Sequence, residues 1–422
     1  MFDFVTNATS AYRRVWLCLV IAFVALSLVP AVHAGKKKKK ITTTEAPKPA
    51  ELPEVDTSNL VWPDPPDIAR IRWLEQYRGE PKPLEPTVEE KKKKKKRSTE
   101  SWMLRLAGVQ PLEAPKSDQR FKLVRPYGVA VDSKGQIYAA DTYVGAVFIF
   151  NPETKAVEFI RNGRDARFKA LIGVAIDDAD RLFVTDSGLS RVFVFDANHK
   201  FQATFGSDRM QRPSGIAVDN KNRLLYVTDV LKNNVVVYDL DSFKYVRTIG
   251  GPPQKMGDDS PGTFARPTNI AIGPNGDVYI SDTMNGRIQI FDADGTFLST
   301  FGKPGDGPGD FARPKGIALD SDGHIWVADA DQNRVKVFDR EGRLCAYFGE
   351  YGYFPGQFAL PSGVTVDKNN RVVVAEQVLN GRLQVFRYTT DAEAAVEQAK
   401  RDHPGGTSTV QAAPPAGDHV NR

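Results

Sequence analysis

One segment recurs six times along this chain. Residues 313–339 read RPKGIALDSDGHIWVADADQNRVKVFD, and residues 266–292 read RPTNIAIGPNGDVYISDTMNGRIQIFD. Related copies begin at Arg125, Leu171, Arg212 and Leu360, at intervals of about 42–54 residues. A chain that repeats itself on this scale makes one supersecondary unit per copy. The units must stack, because none can bury its own apolar faces alone.

Each copy carries four strand signals. GIALD (316–320) is a short apolar run, as expected of a strand buried on both faces. SDGH (321–324) is a tight turn with Gly323 at the position that needs positive φ. IWVAD (325–329) is a second strand and ADQN (330–333) a polar loop. RVKVFD (334–339) alternates, which predicts one buried and one solvated face. A turn at Glu341 and Gly342 leads to a fourth strand, RLCAYFG (343–349). Four antiparallel strands per copy describe a β-propeller blade. The last copy runs out of strand after Arg387, and the strand-like ARIRWLEQYRG (69–79) can supply what is missing. The expected fold is therefore all-β: a six-bladed propeller over 101–390, closed by an N-terminal strand that removes the open edge.

The copies resemble NHL repeats. The resemblance rests on RPxGIAVD, then VYISD, then a polar loop with Asn and Arg, then RIQIFD, and it covers 121–388. The Trp-Asp pairs of Trp-Asp repeats do not occur in the copies, and neither do the paired glycines of kelch repeats. The leader, the spacer and the opening VWPDPPDIARIRWL further resemble exported bacterial NHL-repeat proteins.

The ends have a different composition. Residues 1–34 run basic, apolar, then small, which reads as a signal peptide or membrane anchor. Export, with the propeller periplasmic or anchored outside the cytoplasm, is the expected localisation. The five lysines at 36–40 oppose the positive-inside rule, so an inverted, cytoplasmic orientation stands as the other reading. Residues 35–68 read as a disordered Lys/Pro-rich spacer, 80–100 as a charged insertion, and 391–422 as a tail with a short helix and a disordered end. Membrane contact is expected only through 15–40. The chain carries a formal net charge of +5. Residues 101–390, however, hold 35 Lys+Arg against 34 Asp+Glu, a difference of +1. A near-neutral body argues against a nucleic-acid partner. Cys18 lies in the leader, and Cys345 is expected to be a buried structural thiol.

Chain direction places the loops before each first strand and the loops after each second strand at one end of the ring. That face collects Arg125, Arg212, Arg266 and Arg313 with Asp141, Asp186, Asp229, Asp282 and Asp329, and also Arg191, Arg287, Arg334 and Arg382. A rim of Arg and Asp is a candidate recognition surface, and such pairs also serve to hold loops. The loop 349–360 adds Tyr351 and Tyr353, which either meet a partner or cover the gap between blades. Residues 161–169 form a short basic cluster, read as a solvated loop.

Only His199 and His324 lie in the body, both at hairpin turns. Resemblance to the peptide-amidating and streptogramin lyases would require catalytic or zinc-binding histidines that are not offered here. A calcium-dependent lactonase of the gluconolactonase-like type would need oxygen ligands, for which Asn269, Asp282 and Glu376 are the candidates. The leading expectation is a non-enzymatic, monomeric binding propeller without cofactor, presenting its loop face to a protein, peptide or glycan. A metal-dependent hydrolase or lyase comes second and an RNA-binding propeller third.

Overall fold

A computed structural model describes residues 56, 57, 59–79, 122–161, 167–255, 257–377 and 381–402. The leader, most of the spacer, the insertion 80–100 and the C-terminal end lie outside the described residues, as do 162–166 of the basic cluster. Blades 1 to 5 are four-stranded antiparallel sheets in chain order, spanning 126–161, 171–205, 213–249, 267–301 and 314–348. Blade 6 takes three strands from 361–388 and its fourth, Ile71–Tyr77, from the other end of the chain. Ile71 pairs with Tyr388 and Tyr77 with Leu383. A two-residue strand, Val61–Trp62, adds a fifth member at the outer edge.

The core has no single centre. Six apolar clusters each draw on two adjacent blades, including one between blades 6 and 1. Aromatic rings fill the seams: Trp62 lies 5.4 Å from Phe348 and 5.9 Å from Phe386, sealing the outside of blade 6. Around the channel the first strands approach too closely for side chains. A Cβ on Gly363 would lie 2.2 Å from the Tyr127 carbonyl oxygen, and one on Gly173 would lie 2.4 Å from that of Ser214. The glycine of RPxG is thus a spacing requirement of the ring. Blade 4 alone substitutes Asn269 at this position.

Two expectations fail. Arg334–Phe338 does not alternate between core and solvent: Lys336 is fully buried, because the loop 302–313 folds over the outer face of its strand. Its ammonium lies 3.7 Å from Asp329 and donates to the Asp310 carbonyl. Cys345 is exposed rather than buried. In Leu344–Phe348 the alternation turns Leu344, Ala346 and Phe348 inward, and leaves Cys345 and Tyr347 on the rim of the disc.

The short helix expected in the tail is present at Asp391–Asp402. Thr390 and Glu393 cap it reciprocally, at 2.9 and 3.2 Å.

Ring closure rests on an apolar strand that has left the rest of its blade in sequence. Ile71 is buried between blades 5 and 6. Replacing Ile71 with Ala should cost about 2–5 kcal/mol, seen as a lower urea midpoint with an unchanged slope.

Candidate functional site: the loop face

A carboxylate ends the second strand of every blade: Asp141, Asp186, Asp229, Asp282, Asp329 and Glu376, all fully buried. Their oxygens are occupied by backbone. Asp141 accepts from the N–H groups of Val124 (2.6 Å) and Arg125 (2.9 Å) before the blade, and of Tyr143 (3.0 Å) and Val144 (2.9 Å) after it. Asp186 repeats this with Lys169, Ala170, Gly188 and Leu189. Asp329 takes Ala312 and Arg313, both at 2.9 Å. Burial pushes the Asp141 carboxyl up, and the four N–H groups oppose that shift. These residues hold the loop face together and present no charge on it.

Blades 4 and 6 add an arginine to the arrangement. Arg287 Nε donates to Asp282 at 2.9 Å, and its other nitrogens reach the carbonyls of Asp259 and Thr263. Arg382 Nε donates to Glu376 at 2.6 Å and its terminal nitrogens to the carbonyls of Tyr353 and Gln357, both at 2.7 Å. Both arginines are buried. They clamp the long loops 250–266 and 349–360. Buried Gln289 and Gln384 support the same loops through the carbonyls of Thr263 and Gln357.

The three candidate metal ligands do not come together. The oxygens of Asp282 and Glu376 accept from Arg, Gln and backbone donors within separate blades. Asn269 stands on the channel wall. Among the described residues no group of three His, Cys, Asp or Glu side chains is placed to hold a metal ion.

The remaining cations are presented to solvent in different places. Arg212, Arg266 and Arg313 converge on a cavity of about 230 Å³ at the mouth of the channel. Arg313 pairs with Asp331 at 3.3 Å, and both are about half exposed. The guanidinium groups of Arg212 and Arg266 have no hydrogen bond or ion pair to the described residues. Arg125 is exposed but does not line the cavity. Arg334 stacks over Tyr347 on the disc rim, at 4.8 Å. Tyr351 and Tyr353 are exposed, with hydroxyls 3.2 Å apart.

Two residues of the cavity floor have no counterpart among the sequence candidates. Lys315 donates to Gln377 Oε1 at 3.0 Å and lies 5.6 Å from the Tyr127 ring centre. Tyr127 is buried in the channel, and its hydroxyl meets Ser214, Thr268 and Asn269 of blades 3 and 4. Burial, with help from Arg313, lowers the Lys315 amine to about 8, against an opposing pull from Asp331. Both residues occupy the x of RPxG, the position that varies while its neighbours repeat: Tyr127, Ile172, Ser214, Thr268, Lys315 and Ser362. That variability was the signal available in the sequence.

Two outcomes follow from this geometry. Arg382→Ala strands Glu376 in the core and should cost about 3–5 kcal/mol, with faster amide exchange across 351–357. Lys315→Met should raise the thermal midpoint at pH 7, because it removes a poorly solvated charge. Between about 8 and 10.5 the unfolded chain holds a proton on Lys315 that the folded chain has released. Native stability of the wild type therefore rises with pH in that window, and the advantage of the variant should shrink there. Thermal melts of both proteins from pH 7 to 10 would show this.

Comparison with known proteins agrees with the architecture. A family described as a 6-bladed beta-propeller matches residues 165–253 and 264–335, and the NHL repeat matches 358–386. NHL repeat-containing protein 2 of Bos taurus is 33% identical over 98 residues, which is 22% of this chain and 13% of that protein. Peptidylglycine alpha-amidating monooxygenase of Rattus norvegicus is 30% identical over 170 residues, 40% of this chain and 14% of that protein. The chain thus spans a small part of the length of these relatives. Among solved structures, a Bacteroides thetaiotaomicron protein of unknown function gives a TM-score of 0.52 at 16% identity, covering 63% of this chain and 70% of that one. An auxiliary nutrient binding protein of the same organism gives 0.50 at 13% identity, covering 62% and 69%. Identities this low show a shared fold alone. Six repeats, six blades and six interblade cores agree: the chain is a six-bladed β-propeller, with a match to the NHL repeat at 358–386.

Proposed function

We propose that this propeller is a binding module without a reaction of its own, presenting its loop face to a protein, peptide or glycan outside the cytoplasm. The observation that carries the reading is the division of charge on that face. Every buried carboxylate and two of the arginines are consumed in holding loops, while Arg212 and Arg266 stand unengaged over a cavity. Exposed Leu231, Met284 and Tyr143 project from the neighbouring loops of the same face, and apolar groups beside free cations favour association. The rigid ring limits the entropy lost when a partner docks. The basic, apolar, small order of the first 34 residues supports export, and a ring with all seams satisfied internally supports a monomer.

Metal-dependent hydrolysis has less support, since Asp282 and Glu376 are already neutralised by Arg287 and Arg382. RNA binding has less support because the body is near neutral.

The test is a photo-crosslinking pull-down from the native host with the crosslinker at Met284, comparing wild type with Arg212→Glu plus Arg266→Glu. A partner captured by wild type and lost in the double variant is the expected result. A partner retained by the variant would move the site to another surface. Turnover of lactone or ester substrates on addition of a divalent metal would replace the binding reading with an enzymatic one.

A further inference from the structure

We propose that the channel mouth is a carboxylate site: it takes the carboxylate-bearing end of a peptide, with an adjoining apolar side chain against its wall. The inference rests on the binding reading above and specifies the chemistry of what is bound.

The cations around the cavity are unevenly placed. The residue before the first-strand proline is arginine in blades 1, 3, 4 and 5, and Arg212, Arg266 and Arg313, but not Arg125, line the cavity. In blades 2 and 6 the corresponding residues are Ala170 and Leu360. The arginines that line the cavity itself therefore come from three consecutive blades. Only Arg313 has a local counter-ion, Asp331. The Arg266 backbone is pinned by Asn233 Oδ1 at 2.8 Å in a left-handed conformation, φ 52°. The fold holds that arginine at the rim by its main chain and leaves its guanidinium unengaged. Two unpaired guanidinium groups on adjacent blades, with the Lys315 ammonium beside Tyr127 in the same cavity, make a receptor for one compact anion.

The rest of the cavity selects among anions. Ile172, Val230, Leu231 and Met284 supply an apolar wall beside the cations. A free phosphate would leave that wall bare. A nucleic acid would need aromatic faces for its bases, and the one aromatic ring lining the cavity, Tyr127, is buried in the channel beside the Lys315 ammonium. A peptide end supplies a carboxylate and an apolar side chain a few ångströms apart. The volume, about 230 Å³, suits one such end and not a folded surface.

The test uses the full chain and fluorescence anisotropy with N-terminally labelled hexapeptides. One ends in leucine with a free carboxylate, one is the same peptide amidated, and one is amidated with glutamate as its last residue. The free-acid peptide should bind, and amidation should weaken it at least about tenfold, as expected for loss of a charge-assisted contact. Arg212→Gln plus Arg266→Gln should weaken it similarly. These side chains are solvent-exposed, so an unchanged thermal midpoint is expected of the double variant. Recovery of affinity in the amidated glutamate peptide would assign the carboxylate to an acidic side chain and not to the chain terminus. Equal binding of free-acid and amidated leucine peptides would overturn the proposal. So would equal affinity of the double variant, or displacement of the peptide by inorganic phosphate at the same concentration as by unlabelled peptide. If none of the peptides binds but the host partner is still lost in the charge-reversed variant, the carboxylate proposal falls and the binding reading survives. If that partner is kept as well, both fall.

Discussion

In each blade a fully buried carboxylate at the end of the second strand gathers the backbone of the loop face. An ionised carboxylate taken out of water is costly unless its oxygens are hydrogen-bonded. Asp141 and Asp186 meet that requirement with four main-chain N–H groups each, two from the loop that leads into the blade and two from the turn that follows. One side chain thus fixes two loops that are distant in sequence, and repetition of this device fixes the whole face. The opposite end uses a local version: Asp320 accepts the N–H groups of Asp322 and His324 within its own hairpin turn. Side chains also tie these turns to neighbouring blades, as in the bonds of Ser133 to Asp180 and of Arg223 to Asp178.

The second half of the ring elaborates on the first. Blades 4, 5 and 6 are preceded by longer loops, each ending in a phenylalanine that is fully buried: Phe264, Phe311 and Phe358. The middle residue of the third strand changes in step. It is Phe148, Phe193 and Val236 in blades 1 to 3, and Gln289, Lys336 and Gln384 in blades 4 to 6. An apolar side chain suffices where no loop lies above it. Where a loop folds over the strand, its carbonyls lose water and need donors, and the amide or ammonium provides them. The mouth cavity is lined by residues of blades 1 to 5, and of its two free arginines Arg266 stands at the end of a loop stiffened in this way.

Strands, turns and ring order were readable because they depend on periodicity. A period of two with glycine or asparagine turns announces hairpins, and six copies announce a ring. The orphan strand at 69–79 was readable because the sixth copy was one strand short. Lys336 was not. Its strand alternates as RVKVF, and nothing local reveals that a loop from the previous connection lies over the outer face. Cys345 was misjudged for the opposite reason: general cysteine statistics overrode the alternation of its own strand, which placed it outward. Lys315 and Tyr127 sit at the one irregular position of a regular motif, and only the closure of six first strands around one axis brings them into contact.

The amino-acid sequence therefore determined the unit, its number and its closure, since hydrogen-bonded pairing and alternation of apolar residues act over a few neighbouring positions. It also determined which residue types crowd the loop face. Which of those residues are consumed and which remain free was decided by tertiary structure. Asp282 and Arg287, or Glu376 and Arg382, look in sequence like the same kind of surface pair as Asp331 and Arg313. Burial separates them, because a charge far from water must satisfy every neighbour it has, whereas a charge at the rim keeps its freedom to bind something else.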